Sequence, residues 1–386
     1  MNHTLPALDA LSQFPDEYTE ILGFLRARRV GLLTNHSGQT KGGISTFDAL
    51  RALDIEVKVL FSPEHGIAGR LEGDVASSQN ENGLIIHSLY GETRRPTPQM
   101  LSEIDILVFD IQDVGARFYT YGSTLCLALE ECAKSGKSVV VLDRPNPLGG
   151  VETRGPMLEK SCQSFIGHVA VPVVHGLSMG ELALLHQANE NLAVDLRVVP
   201  CRGWKRETLW PQTGLRWIAP SPNLPDFQSA QWYPGLCLLE FSDVAVGRGT
   251  DAPFQIVGAP WFEPNRVLER LRSCRGWNDL RVSAGTIEFT PTRAIYENEV
   301  CRGLKFSSQN ASQVPMTDLG LALLWAFRHA GFAEFGEEQL RASWQLVGSH
   351  RVLDMLENDE LNGALEVSTE GLAQFEEARK AIALYE

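Results

Sequence analysis

The chain has 386 residues, with 34 Lys and Arg against 48 Asp and Glu, so its formal net charge is −14. Hydrophobic residues make up 44% and charged residues 21%, the composition of a globular protein long enough for about two domains. An acidic chain without a long basic run argues against nucleic acid or an anionic membrane as a partner. No stretch approaches the ~20 apolar residues of a membrane-spanning helix, and the first residues lack the features of a secretory signal. We therefore expect a cytoplasmic protein.

The first two hundred residues alternate between short β-branched runs and amphipathic stretches. This alternation predicts a Rossmann-like α/β fold, a mostly parallel sheet with helices on both faces. The predicted strands are Val30–Thr34, Val57–Phe61, Leu84–Leu89, Ile104–Phe109, Ser138–Leu142 and Val169–Val174. The predicted helices between them are Ile44–Leu53, Leu125–Ser135 and Glu181–Gln187.

The character of the chain changes after about Pro200, where Trp and Pro become frequent. Strand-like pieces at Leu236–Phe241 and Ile287–Phe289 mix with predicted helices at Val267–Ser273, Thr317–His329 and Gly371–Leu384. We predict a catalytic domain over residues 1–200 and a smaller α+β C-terminal domain over residues 201–386 that closes a cleft. The seven cysteines are scattered and include no C-x-x-C pair, which favours buried thiols over disulfides or a zinc site. The sequence gives no indication of an oligomeric state.

Polar and ionisable side chains follow each of the six predicted strands. Ligands bind at the carboxyl ends of the strands in open parallel sheets, so these side chains predict one charged cleft. Turns after strands are often polar for local reasons, but six such ends with arginines, histidines and carboxylates make a shared cleft the better explanation. The candidates are Asn35, Ser62, Glu64, His65, Glu92, Arg94, Asp110, Asp113, Arg117, Arg144 and His175.

Two of these residues, Glu64 and Glu92, offer carboxylates that could act as acid, base or nucleophile. Two carboxyl groups flanking a sugar bond are the usual equipment of glycosidases. Asp110 and Asp113 lie three residues apart on one turn, and substrate binding and helix capping are about equally good interpretations of them.

Arginine side chains suit an acidic ligand because they contact carboxylates with two hydrogen bonds. Arg94, Arg117 and Arg144 are candidates, although a single arginine is more often part of a surface ion pair. Arg248 lies between two glycines, where the backbone can bend sharply, and a glycine-rich hairpin is the alternative. Tyr121, in an aromatic segment, could stack on a sugar or pack a helix start.

The segment Gly176–Gly180 matches the G-x-S-x-G pattern of serine hydrolases. A serine esterase that uses Ser178 is therefore an alternative function. Ser178 and Glu181 also form an S-x-x-E capping box, and this interpretation is favoured. No glycine-rich phosphate motif follows a strand, and no His, Cys and Asp residues show metal-ligand spacing. We expect neither a cofactor nor a metal.

Several segments occur in this order in one protein family: 31–35, 61–66, 88–91, 108–121, 142–150, 220–223 and 247–250. The chain resembles the exo-β-N-acetylmuramidases of the NamZ type from about residue 30 to at least 262, and more weakly to its C-terminus. The resemblance implies a Rossmann-like domain, a smaller C-terminal domain and an active cleft between them. It also implies release of N-acetylmuramic acid (MurNAc) from the non-reducing ends of peptidoglycan fragments, in cell-wall turnover and recycling.

The resemblance makes Glu64 the first choice for a catalytic carboxylate and Glu92 the second. One would protonate the leaving oxygen and the other would be nucleophile or base. The lactyl carboxylate of MurNAc would give the arginines their function. A non-catalytic muropeptide-binding protein with the same cleft is the remaining alternative. Segment 240–247 departs from the family pattern, since Val246 stands where other members more often carry a Glu. Substrate binding is assigned to Asn35, Ser62, His65, Asp110, Asp113, Arg117, Tyr121, Arg144, His175 and Arg248.

Overall fold

The computed structural model of the chain describes residues 4–71, 73–79, 83–274 and 277–386. Its first half contains the seven strands β1 Val30–Thr34, β2 Val57–Ser62, β3 Ser78–Gln79, β4 Ile85–Ser88, β5 Ile106–Asp110, β6 Ser138–Leu142 and β7 Leu196–Val199. They form one sheet in the order β3-β4-β2-β1-β5-β6-β7. All neighbours pair in parallel except β3, which is antiparallel to β4. The predicted, mostly parallel sheet is confirmed.

Helices cover both faces of this sheet. Successive side chains of each strand point to opposite faces, and the apolar side chains on each face pack against helices. In β5, Ile106 and Val108 pack into the cluster with α1 Ala7–Gln13, α2 Thr19–Arg26 and α3 Thr46–Ala52. Leu107 and Phe109 pack into the other cluster, which contains α4 Pro98–Ser102, α5 Tyr121–Lys134 and α6 Met179–Asn189.

The predicted sixth strand, Val169–Val174, is wrong. This segment is irregular, and its only ladder contacts among the described residues are isolated bridges from Val174 to Ala116 and Arg154. The sixth parallel strand is β7, which pairs with β6. A short apolar run predicts burial better than it predicts conformation, and 169–174 is mostly buried without joining the sheet.

The second half has a three-stranded antiparallel sheet, ordered β8-β10-β9, from β8 Ile256–Ala259, β9 Ser283–Phe289 and β10 Cys301–Ser307. Its helices are α7 Trp210–Thr213, α8 Phe227–Leu236, α9 Pro264–Ser273, α10 Met316–His329, α11 Glu337–Ala342, α12 Trp344–Val347, α13 His350–Glu357, α14 Leu361–Val367 and α15 Leu372–Ala381. Short 3-10 helices span Pro15–Tyr18, Lys160–Cys162, Cys237–Leu239, Trp277–Leu280 and Ala311–Gln313. The buried helix α10 packs against α8, α9, α13 and α14.

The predicted strand Leu236–Phe241 is also wrong. Leu236 ends α8, and Cys237–Leu239 form a 3-10 helix. Its first four residues, 236–239, are buried beside α10, and a short apolar run cannot distinguish a strand from a helix end.

One hydrophobic core joins the two halves, since a single cluster contains Phe109 and Tyr121 together with Trp232 and Leu323. All seven cysteines are free thiols and six of them are buried, as their scattered positions predict. Among the described helices, none combines the length and the hydropathy needed to cross a membrane.

Candidate active site

A cleft opens where the carboxyl ends of β2, β4 and β5 meet the second half of the chain. This is the edge at which open parallel sheets bind ligands. From the first half it is lined by Glu64, His65, Tyr90, Phe118, Tyr119, Thr120 and Ile166. From the second half it is lined by Ser221, Asn223, Leu224, Tyr233, Cys237, Glu240, Phe241, Arg248, Phe254 and Leu346.

Glu64 enters this cleft from a tight turn directly after β2. His65 and Gly66 both have a left-handed backbone, with φ of 67° and 70°, and this reverses the chain. Thr120, the residue before α5, donates from Oγ1 to Glu64 Oε2 at 2.5 Å. Burial and the neighbouring Glu64 carboxylate raise the pKa of Tyr90 to about 12, and its hydroxyl is hydrogen-bonded to Glu64. Two hydroxyl groups therefore fix the orientation of Glu64.

Arg94 supports Tyr90 from behind and does not line the cleft. Its guanidinium carbon lies 3.5 Å from the centre of the Tyr90 ring and 4.9 Å from that of Phe165. Such stacking is favourable because the ring faces carry partial negative charge. Arg94 therefore holds a wall of the cleft in place.

Glu240 is a second carboxylate in the same cleft. It forms an ion pair with Arg248 and accepts a hydrogen bond from Cys237 Sγ at 3.1 Å. Its side chain is 19% exposed and that of Arg248 is 28% exposed. The sequence interpretation missed Glu240 as a site residue because it placed Glu240 inside a predicted strand. Its signal is a lone acidic residue at the end of an apolar run.

The backbone beside Arg248 bends as its flanking glycines predict. Gly247 and Gly249 have φ of 78° and 75°. A Cβ on Gly247 would lie 2.5 Å from the Ala252 carbonyl oxygen, so a side chain would not fit there. The bend delivers the Arg248 guanidinium to Glu240 in the cleft.

Aromatic rings from both halves form the floor of the cleft. Phe118 packs edge-on against Tyr233, with ring centres 5.2 Å apart, and Tyr119 does so at 5.9 Å. Tyr233 in turn packs against Phe254 at 4.8 Å. Aromatic floors suit sugar rings, whose C–H faces are apolar.

Asp110 and Arg144 do not reach this cleft. Arg144 donates to both carboxylate oxygens of Asp110, at 2.5 and 3.0 Å, and Thr46 donates to Asp110 at 2.6 Å. Both members of the pair are nearly fully buried, and Arg144 lines a separate pocket. The structure therefore does not bring Arg144 and Asp110 into the cleft that Glu64 lines. They satisfy each other's charge behind the ends of β5 and β6.

Arg117 is likewise a buried link between segments. Its guanidinium donates to the carbonyls of Pro156, Val171, Leu346 and Val347 at 2.6–3.0 Å. Burial lowers the pKa of Arg117 to about 9. Because four backbone carbonyls use its donors, Arg117 ties the first half of the chain to α12 and lies outside the lining of the cleft.

Asp113 and His175 line a small internal cavity with Arg117, apart from the cleft but sharing Tyr119 with it. Asp113 Oδ1 accepts from the Gly115 amide at 2.7 Å, and burial raises the pKa of Asp113 to about 7. Burial and the nearby Arg117 lower the pKa of His175 to about 3. Both groups stand behind the cleft.

Four further candidates also lie outside the cleft lining. Glu92 is exposed. Asn35 closes a local turn through its side-chain oxygen, and Ser62 is buried at the end of β2. Tyr121 donates to the Pro220 carbonyl at 2.8 Å, which fixes the segment next to Asn223. Of the predicted site residues, the structure brings Glu64, His65 and Arg248 together.

Ser178 is engaged as a helix cap. Its hydroxyl donates to Asp143 at 2.6 Å and accepts from the Glu181 amide, and the Glu181 carboxylate accepts from the Ser178 amide. The residue is 1% exposed and lies outside the cleft. This is a capping box, and it does not present a nucleophile.

One group of side chains has donors of the type that bind metals. Glu130 Oε1 accepts from Nε2 of His168 at 2.6 Å and of His186 at 3.0 Å, and Oε2 accepts from Arg95 at 2.5 Å. Burial alone would raise the pKa of Glu130, but the hydrogen bonds from His168 and Arg95 hold it at about 2. Arg95 already supplies a cation, so these contacts describe a hydrogen-bonded cluster. Arg95, His168 and His186 are 35, 38 and 56 residues from Glu130 in the chain, so no short motif marks the cluster.

Comparison with known proteins places the chain in one family. Residues 30–228 match the family model "Exo-beta-N-acetylmuramidase NamZ, N-terminal", and residues 231–385 match its C-terminal counterpart. The chain is 35% identical over 369 residues to the peptidoglycan β-N-acetylmuramidase NamZ of Bacillus subtilis, covering 94% of this chain and 88% of that protein.

Two solved structures of DUF1343 family proteins from Bacteroides fragilis share the fold. One has a TM-score of 0.89 at 30% identity, with full coverage of both chains. The other has a TM-score of 0.78 at 27% identity over 99% of each chain. With both halves matched by its models, the chain belongs to the exo-β-N-acetylmuramidase NamZ family.

Proposed function

We propose that this protein is an exo-acting glycoside hydrolase that releases MurNAc from the non-reducing ends of peptidoglycan fragments, with Glu64 and Glu240 as its two carboxylates. The observation that carries the assignment is that Glu64 and Glu240 come from different halves of the chain and line the same aromatic-floored cleft. Glycosidases place two carboxyl groups beside the scissile bond. Membership of the NamZ family supports the reaction.

The surroundings of the two carboxylates suggest different roles. Glu240 is ion-paired with Arg248, so we assign it the role of nucleophile or base, which needs the charged form. Glu64 is oriented by the hydroxyls of Thr120 and Tyr90, and we assign it to protonation of the leaving oxygen. Val246 stands where other family members more often carry a Glu, but the cleft of this chain still contains a second carboxylate, that of Glu240.

Recognition of MurNAc falls to Arg248. The lactyl group of MurNAc carries a carboxylate, and a guanidinium recognises carboxylates through paired hydrogen bonds. Among the described residues that line the cleft, Arg248 is the one arginine. His65 and Asn223 line the same cleft and would contact the sugar hydroxyls or the acetamido group.

The test is release of MurNAc from the disaccharide MurNAc–GlcNAc, compared with a disaccharide that carries GlcNAc at its non-reducing end. The wild-type protein should hydrolyse the first and not the second. Glu64→Gln and Glu240→Gln should each lower kcat by at least about a hundredfold, the range of an acid–base contribution. Glu92→Gln is the matched control, because Glu92 is exposed outside the cleft, and it should keep wild-type activity.

Each other outcome has a definite meaning. Full activity in Glu240→Gln together with loss of activity in Glu92→Gln would replace Glu240 by Glu92 in the mechanism. Binding of MurNAc–GlcNAc by the wild-type protein without turnover would indicate a muropeptide-binding protein. Labelling of Ser178 by a fluorophosphonate would support the esterase alternative, which its capping bonds disfavour.

A further inference from the structure

Phe241 is the exposed aromatic side chain of the cleft. It follows Glu240 directly and lines the same cleft, and it is 41% exposed. Among the described residues it is the one aromatic in the group of exposed large apolar side chains. Single exposed apolar residues are ordinary elsewhere on a surface, but an exposed ring inside a ligand groove is a candidate contact.

The aromatic residues of the cleft divide by depth. Phe254, Tyr119 and Tyr233 are 2%, 7% and 8% exposed and pack against other rings of the floor. Phe241, at 41%, stands at the rim. The buried rings of the lining are therefore already packed against one another, and Phe241 is the lining aromatic with the most exposed surface.

We propose that Phe241 is the stacking surface for the leaving group, the sugar that is joined to the terminal MurNAc. This inference rests on the proposed function. An exo-acting enzyme encloses the terminal sugar, so the rest of the saccharide must leave through the open end, where Phe241 stands beside Glu240. A sugar presents an apolar face of C–H bonds, and an aromatic ring covers such a face well.

The inference separates two binding sites in one cleft, and two ligands distinguish them. In the inactive Glu64→Gln protein, MurNAc alone reports the enclosed site, and MurNAc–GlcNAc reports both sites. Adding Phe241→Ala should lower the affinity for the disaccharide, measured by calorimetry, by roughly five- to tenfold, the range of a single aromatic contact. The affinity for MurNAc should change by less than about twofold, and Phe241→Trp should retain disaccharide binding.

Val151→Ala is the control, because Val151 is 64% exposed and does not line the cleft. It should leave both affinities unchanged. An equal loss for MurNAc and the disaccharide, or no loss for either, would overturn the assignment of Phe241. A parent protein that binds neither sugar would instead refute the proposed function, so the two failures are distinguishable.

Discussion

Glu64 and Glu240 differ in what holds them, and this difference belongs to single residues. Glu64 contacts neutral hydroxyl groups, whereas Glu240 contacts a guanidinium and a thiol. An ion pair that is partly exposed contributes modestly to stability. The Glu240–Arg248 pair therefore adds little to the free energy of folding. We attribute its presence to the proposed roles of both residues with a charged sugar.

The planar guanidinium of Arg248 gives the first prediction. Arg248→Lys keeps the positive charge but loses the paired donors, so kcat/KM for MurNAc–GlcNAc should fall by about tenfold or more, as expected for a hydrogen bond to a charged group. Steady-state kinetics measures this loss, and circular dichroism should show an unchanged fold. Wild-type kcat/KM in the lysine variant would show that charge alone is sufficient.

Asp113 gives a prediction about pH and stability. Its pKa is raised from 3.8 to about 7 by burial, so the folded protein holds a proton on Asp113 between these values and the unfolded chain does not. This contribution must fall as pH rises from about 4 to about 7. Asp113→Asn removes it, so the free energy of unfolding of the variant relative to wild type should increase over that window. Urea unfolding at pH 5 and pH 8 measures the change, and parallel pH profiles would contradict it.

At the scale of elements, the strands with a strong apolar pattern are predictable from the sequence. The alternation in β1, β2, β5 and β6 identifies buried parallel strands, and the edge where they end is where the cleft lies. Two apolar runs, 169–174 and 236–241, were misassigned because burial alone does not select a conformation.

The same limit applies to the site. A charged residue after a strand is recognisable in the sequence, but its partner is not, and the partner decides its role. Arg144 meets Asp110, 34 residues away, and Arg117 meets α12, about 230 residues away. Glu64 and Arg248, by contrast, line the cleft. No local sequence pattern distinguishes a charged residue that lines the cleft from one that pairs with a distant partner.

The cap of α6 gives a prediction at this scale. Ser178→Ala removes a side chain that accepts from the Glu181 amide and donates to Asp143. Loss of an N-cap costs about 0.5–2 kcal/mol, so denaturant unfolding should show destabilisation of about that size. Because Ser178 lies outside the cleft, kcat for MurNAc release should stay within about twofold of wild type. A collapse of kcat in a folded variant would contradict the capping role.

For the whole molecule, the cleft exists only when the two halves are packed together. Its floor combines Phe118 and Tyr119 with Tyr233 and Phe254, and each carboxylate comes from a different half. A single hydrophobic core spans both halves. Contacts that fasten the halves together therefore also set the geometry of the cleft.

Arg117 is the sharpest test of this coupling. It bonds the Leu346 carbonyl, and Leu346 lines the cleft. Arg117→Met keeps much of the volume but leaves four buried carbonyls without their donors, so we expect destabilisation of about 3 kcal/mol or more and a lower kcat in the folded protein. Arg351→Met is the control, because the Arg351–Glu370 pair is 56% exposed at both side chains and should cost under about 1 kcal/mol. Urea unfolding and kinetics compare the two variants. If Arg117→Met were as stable as Arg351→Met, the Arg117 hydrogen bonds would not hold the halves together. If Arg117→Met lost stability but kept the wild-type kcat, the cleft would not depend on these bonds.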